Sequence, residues 1–171
     1  MPAQRAILIR GGRVLLSKTT IQGHMAGAIS VHAARLLLEE SIVEECHADM
    51  GGGMLVTGGA VVTVISSRIA NNAARISGGA IHVNGGHVAL LNETLLEDNS
   101  ARHSGGSIFL STNSTLGYTL PVPSGRWLNI RQGINFQLEK PAVDSDFPYA
   151  CPAGVVGGTS AEDQSWPGCG G

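Results

Sequence analysis

The side chains best equipped for chemistry in this 171-residue chain are two acidic corners, Glu44-Glu45 and Glu97-Asp98. A pair of carboxylates can divide acid and base work on a glycosidic bond when they stand about 6.5 to 9.5 Å apart. Six histidines (His24, His32, His47, His82, His87 and His103) are possible metal ligands. Three cysteines, Cys46, Cys151 and Cys169, could hold a metal or form a bridge. Asn92-Glu93-Thr94 and Asn113-Ser114-Thr115 are glycan-acceptor triplets. Whether any of these groups meet depends on the elements that carry them.

Those elements repeat. Gly78-Gly79-Ala80-Ile81 opens a stretch that ends where Gly105-Gly106-Ser107-Ile108 begins, 27 residues later. Gly51 starts another copy 27 residues before Gly78, and a looser one starts at Ala26, 25 residues before Gly51. Periods of about 20 to 50 residues mark stacked units that bury their apolar faces only against one another. Within each period the segments Ile29-Ser30-Val31, Met54-Leu55-Val56, Ile81-His82-Val83 and Ile108-Phe109-Leu110 recur. Their outer positions are aliphatic and their middle one varies, which is strand alternation with the aliphatic pair facing in.

A second strand follows each small-residue pair, with Gly58-Gly59 matched to Gly85-Gly86. A third is Ile42-Val43, Ile69 and Leu95-Leu96. Residues 32–50 have helical propensity, but their equivalents AVVTVISS favour strand, and stacked units must share one conformation. Three strands per period leave no room for a helix. The leucine-rich frame is absent and a propeller blade needs more residues. The expected fold is an all-β parallel β-helix of about four to five coils, each of ~27 residues.

The coils should occupy residues 1–115. A capping or crossing segment (116–140) offers Trp127, Ile130 and Phe136 as apolar plugs, since Pro121 and Pro123 cannot donate to a central sheet. Residues 141–171 read as a Gly/Pro/Ser-rich linker or the start of a cysteine-rich module. Asn72 and Asn99, with Cys46 as the looser equivalent, should stack at one corner and bond along the axis.

The net charge of −2 shows no electrostatic footprint for nucleic acid, and no apolar run reaches the length of a membrane-spanning helix. Charged residues are only 14% of the chain, so the outer faces should be broad and poor in charge. The acidic corners would lie two coils apart, roughly 10 Å by the coil rise. Ala70-Asn71 separates them and no aromatic platform stands nearby, so a solvated acidic corner is the plainer reading. Ser30, Leu55, His82 and Phe109, taken as outward, supply no calcium-holding acids. No His/Cys group has zinc spacing. No catalytic, cofactor or metal residue is therefore assigned. Asn92 and Asn113 are the glycosylation candidates, Cys151 and Cys169 the disulfide candidate, and Cys46 a buried thiol.

The motif GGAI-x-V with NETLLEDNSARHSGGSI leading to the next coil resembles the GGAI and FxxN repeats of chlamydial polymorphic outer-membrane proteins. It is also similar to the right-handed β-helices of the pectate-lyase-like group. Leu96-Glu97-Asp98-Asn99 and Ile69-Ala70-Asn71-Asn72 fill the FxxN slot, over a match spanning residues 11–115. The resemblance implies a right-handed coil and a non-enzymatic structural or adhesive module, a fragment of a larger secreted or cell-surface protein. Its partners would be glycans or surface proteins. The alternative is a carbohydrate-active enzyme, a polysaccharide lyase or glycosidase, on the same scaffold.

Overall fold

The computed structural model describes residues 4–119, 126–127, 135–137, 142–143 and 147–150, and all its regular elements are strands. Coil 1 holds β1 (Ile7–Arg10), β2 (Arg13–Ser17) and β3 (Thr20–Gln22). Coil 2 holds β4 (Ile29–His32), β5 (Arg35–Glu39), β6 (Ile42–Glu44) and β7 (His47–Met50). Coil 3 holds β8 (Met54–Thr57), β9 (Val61–Ile65), β10 (Arg68–Ala70) and β11 (Ala73–Ser77). Coil 4 holds β12 (Ile81–Asn84), β13 (His87–Leu91), β14 (Leu95–Glu97) and β15 (Ser100–Ala101). A last partial coil has β16 (Ile108–Leu110) and β17 (Thr115–Thr119), followed by β18 (Arg126–Trp127), β19 (Asn135–Gln137), β20 (Ala142–Val143) and β21 (Tyr149–Ala150).

Every strand of β1–β17 pairs in parallel with its equivalent in the neighbouring coil. The chain is a parallel β-solenoid of about 4 turns, spaced about 26 residues apart. Ile29, Met54, Ile81 and Ile108 form one column, and all four are fully buried. Val43, Ile69 and Leu96 form another, likewise buried. The segment with helical propensity is extended, as β5, β6 and β7. Leu36 and Leu38 face the core while Leu37 lies half-exposed on the outer side. Packing in register overrides local preference here.

Two expectations need correcting. Each full coil after the first carries four strands, not three, because the corner after Cys46, Asn72 or Asn99 straightens into a short extra strand. The second strand is also offset by one residue from the Gly-Gly match: Val61, not Ala60, pairs with His87. The turn Gly58-Gly59-Ala60 has one residue more than Gly85-Gly86. A slip of one residue would turn Val62 and Val64 outward, and both are fully buried.

The corners explain how strain is tolerated. Lys18, Glu40, Ser66 and Glu93 have left-handed backbones, with φ between 45° and 61°, and each precedes a hydroxyl residue. Those residues form a ladder along the axis. Thr19 N–H donates to Ser41 Oγ at 3.0 Å, Ser41 N–H to Ser67 Oγ at 3.0 Å, and Ser67 N–H to Thr94 Oγ1 at 3.4 Å. At the next corner Glu45, Asn71 and Asp98 are left-handed and precede the expected column. Cys46 N–H donates to Asn72 Oδ1 at 3.0 Å, and Asn72 N–H to Asn99 Oδ1 at 3.0 Å. The amide groups of Asn72 and Asn99 donate to the carbonyls of Val43 and Ile69 at 3.0 and 2.9 Å. A non-glycine residue in this conformation costs of order 1 kcal/mol or more, and each corner returns several bonds to buried groups.

The Gly-Gly corner works differently. Gly78 has φ +66°, and a Cβ there would strike the carbonyl of Ile81. Gly79 touches the backbone of the next coil, so a Cβ would collide with the carbonyls of Ser100 and Gly106. Beside it runs a column of small residues, Ala28, Gly53, Ala80 and Ser107. Ser107 Oγ is buried there with no hydrogen-bond partner.

The far end is closed by chain that runs the other way. Parallel pairing extends through β17 to Tyr118, after which β19 adds antiparallel to β17 and β20 to β16. Phe147 exchanges backbone bonds with Leu96 at 2.8 and 2.9 Å. Tyr118 and Phe147 are the buried plugs, edge to face at 5.6 Å, and the Tyr118 hydroxyl donates to Thr94 O at 2.9 Å. β18 pairs with β21, so backbone pairing reaches into the segment expected to be a linker. Ile130, the side chains of Trp127 and Phe136, and the Cys151–Cys169 bridge lie outside the described residues.

The two unlike columns predict opposite outcomes in urea unfolding. Asn72→Ala, which strands the Cys46 N–H and the Val43 carbonyl, should cost about 3 kcal/mol. Ser107→Ala, which removes an unpaired hydroxyl and matches Ala28 and Ala80, should raise stability by about 1 kcal/mol.

Candidate functional site

The four-stranded sheet of β3, β6, β10 and β14 brings the two acidic corners onto one face. Glu44 and Glu97 occupy the same position of β6 and β14, with Ala70 of β10 between them. Their carboxylates are not left to face each other. Arg68, one coil from each, donates from Nε to Glu97 at 2.8 Å and from Nη1 to Glu44 at 3.3 Å. Sequence reasoning weighed Ala70-Asn71 as the intervening residues and missed Arg68. The signal was there: Arg68 lies two residues before Ala70, so it emerges on the same side of the strand. Hydrogen bonding to Glu97, then the charges of both glutamates, pushes the Arg68 guanidinium above its ordinary value. All three side chains remain partly exposed (39, 23 and 22%), so the clamp's contribution to stability is modest.

Beside the clamp is a cleft of about 460 Å³ lined by Glu40, Ser41, Ile42, Ser66, Ser67, Arg68, Asn92, Glu93 and Leu95. Asn92 is exposed at its rim. The Thr94 of its triplet is fully buried, a member of the hydroxyl ladder, so its identity has a structural cause. Asn113 is exposed too. Its neighbour Ser114 accepts from Gly85 N–H at 2.9 Å, and Thr115 meets His87 Nδ1 at 2.7 Å.

The histidines disperse. His32 bonds Thr57 at 2.9 Å and His87 bonds Thr115 on a different sheet. Among the described residues no three His, Cys, Asp or Glu side chains gather as a metal site. Cys46 is free and buried, and burial pushes its thiol up. No helix among the described residues is long and apolar enough to cross a membrane.

His82 departs from expectation. It faces away from the core yet is only 5% exposed. The Gly78 corner folds Ser77 over it, with Ser77 Oγ 2.9 Å from Nδ1, and Phe109 of the next coil stacks on it at 5.0 Å. Burial lowers its affinity for a proton, with Ser77 opposing and the Arg5 charge adding to the effect.

A folded-state pKa below the unfolded 6.5 leaves His82's contribution intact above that value, to be lost as pH falls below it. The urea midpoint should therefore drop as pH falls below about 6.5. His82→Gln should flatten that part of the profile, and a ring titration of His82 by NMR should centre below 6.5. No protein family matches the chain, and neither curated proteins nor solved structures show a significant similarity to it.

Proposed function

We propose that the chain is a non-enzymatic structural or adhesive module, working at a cell surface or outside the cell and presenting its sheet faces to other molecules. The observation that carries this is the outer face of the parallel strands β2, β5, β9, β13 and β17. Leu15, Leu37, Thr63, Ala89 and Gly117 stand in register there, beside half-exposed Val61, Ile65 and Leu91. Leu15 is 58% exposed. This uncharged row, flanked by Arg13, Arg35 and His87 on one side and Glu39 on the other, is a largely apolar strip with a polar border, the kind of patch that contacts use. Its aliphatic character suits a protein partner better than a sugar, which stacks on aromatic rings. The resemblance of the GGAI and FxxN motifs to chlamydial outer-membrane repeats supports the surface role. Arg68, set between Glu44 and Glu97, weighs against an acid–base pair at the acidic corners.

Leu37→Lys with Thr63→Glu changes only outward positions and should leave the circular dichroism spectrum and melting temperature unchanged. Beads coated with the parent protein should adhere to extracellular-matrix proteins and not to glycan arrays, and the double variant should lose that adhesion. Cleavage of polyuronates by the parent, abolished in Glu97→Gln, would replace this reading with an enzymatic one.

A further inference from the structure

The outer face of coil 2 carries an arginine that its neighbours do not satisfy. β2 and β5 pair in register from their first residues, which sets Arg13 directly opposite Arg35, both exposed. Equivalent residues of adjacent coils lie about 4.8 Å apart, and like charges directly opposite each other repel. Among the described strand pairings no other position sets two permanently charged side chains of one sign against each other. On its other side Arg35 meets Val61, so neither adjacent coil offers it a carboxylate in register. Glu39 faces the same way on β5 but lies four residues on, roughly 13 Å along the strand. The ion pairs among the described residues use Lys18, Arg68 and Arg75 as their cations, and Arg35 takes part in none. Across the corner Arg10 stands in register with His32, which brings no carboxylate either.

Arg13 and Arg35 line a notch of about 290 Å³ at this corner. Gly12, Ala33 and Gly59 line it too, one from each of three successive coils, so it is centred on coil 2 and bounded by chain on both sides. All three have left-handed backbones, with φ of 75°, 48° and 74°. A Cβ at Gly12 or Gly59 would meet nothing within 4 Å, so no side chain fills the space above them.

The two guanidinium groups select the ligand. Each presents a planar edge of N–H donors that suits a pair of oxygens on one anion. Together they bring two charges and about four donors to one notch. A carboxylate supplies one charge and two oxygens, which leaves half of that unmet. Sulfate or a phosphate ester supplies about two charges and at least three free oxygens. We propose that the notch binds a tetrahedral oxyanion, phosphate or sulfate, clamped between Arg13 and Arg35, either as the free ion or as the end group of a larger molecule. Bound there, the anion relieves the repulsion that the register imposes on the pair. The site borders the apolar strip but does not rest on the contact role proposed for it.

The probes are inorganic phosphate and phenyl phosphate at about pH 8, where both are dianions, with acetate as the control at matched ionic strength. Binding to the full chain is followed by NMR shifts of the Ala33 and Gly59 amides, both of which are hydrogen-bonded to the next coil. Phosphate should bind at least about fivefold more tightly than acetate and weaken as salt rises. Arg35→Gln changes an exposed position, so it should not lower the melting temperature, yet it should weaken phosphate at least about fivefold. Gly59→Asp fits both the left-handed backbone and the open space. It places a carboxylate in the notch and should weaken phosphate comparably, read at Ala33. Arg102→Gln, on coil 4, should leave the affinity unchanged. Tighter binding of phenyl phosphate than of inorganic phosphate would assign the anion to a larger molecule, and weaker or equal binding to the free ion; both uphold the site. Acetate binding as tightly as phosphate, full phosphate affinity in folded Arg35→Gln, or an equal loss in Arg102→Gln would overturn the proposal, because only diffuse charge would then be at work.

Discussion

The structure depends on one constraint: each residue sits directly against its own equivalent one coil away, joined by parallel backbone pairing. At a spacing of about 4.8 Å, what a position can hold is decided by what lies above and below it. Aliphatic columns such as Ile29, Met54, Ile81 and Ile108 satisfy this by being alike. Charged side chains find partners across coils instead: Arg68, in register with Ile42 and Leu95, reaches diagonally to Glu44 and Glu97, and Arg75 bonds Asp49. The same rule makes a solenoid tolerant of irregular corners, provided each strand returns to register.

The corners are where sequence and stacking meet most closely. A bend between short strands needs a left-handed residue, and this chain uses Glu, Asp, Asn, Ser and Lys at such positions as well as glycine. What permits them is the residue that follows. Ser41, Ser67 and Thr94 at one corner, and Cys46, Asn72 and Asn99 at the next, receive or supply the backbone bonds that a bend would otherwise strand. The two ladders are buried, so their bonds are shielded from water and an unpaired member would be costly. A residue such as Thr94, which belongs to a glycan-acceptor triplet by its sequence, is thus already explained by its place in the coil.

Much of this was legible beforehand. The Gly51, Gly78 and Gly105 spacing located the coils, and the aliphatic pairs identified the inward face. The Asn72–Asn99 step of 27 residues foretold the amide ladder. The errors arose where turns differ in length. Gly58-Gly59 and Gly85-Gly86 look equivalent as letters, but the extra Ala60 shifts the strand by one, and only the burial of Val62 and Val64 resolves it. The hydroxyl ladder went unseen because Ser and Thr are ordinary turn residues. His82 looked free because the fold of Ser77 over its ring depends on the Gly78 corner, which strand alternation does not encode. Arg68 is hard to read as the clamp because it is not in register with either acid: it lies opposite Ile42 and Leu95 and reaches them diagonally.

The unequal ends of the rod give it a mechanical polarity. At one end Tyr118 and Phe147 plug the core under antiparallel chain. At the other, among the described residues, Ile7, Val14 and Leu16 are only partly covered. In a stack where each layer is held chiefly by its neighbours, disassembly starts from the less covered layer and travels inward. A pull on the chain from the Arg5 side would peel the coils one after another, like unwinding a spring whose far end is clamped. The same pull from the Phe147 side would first have to dislodge the plug.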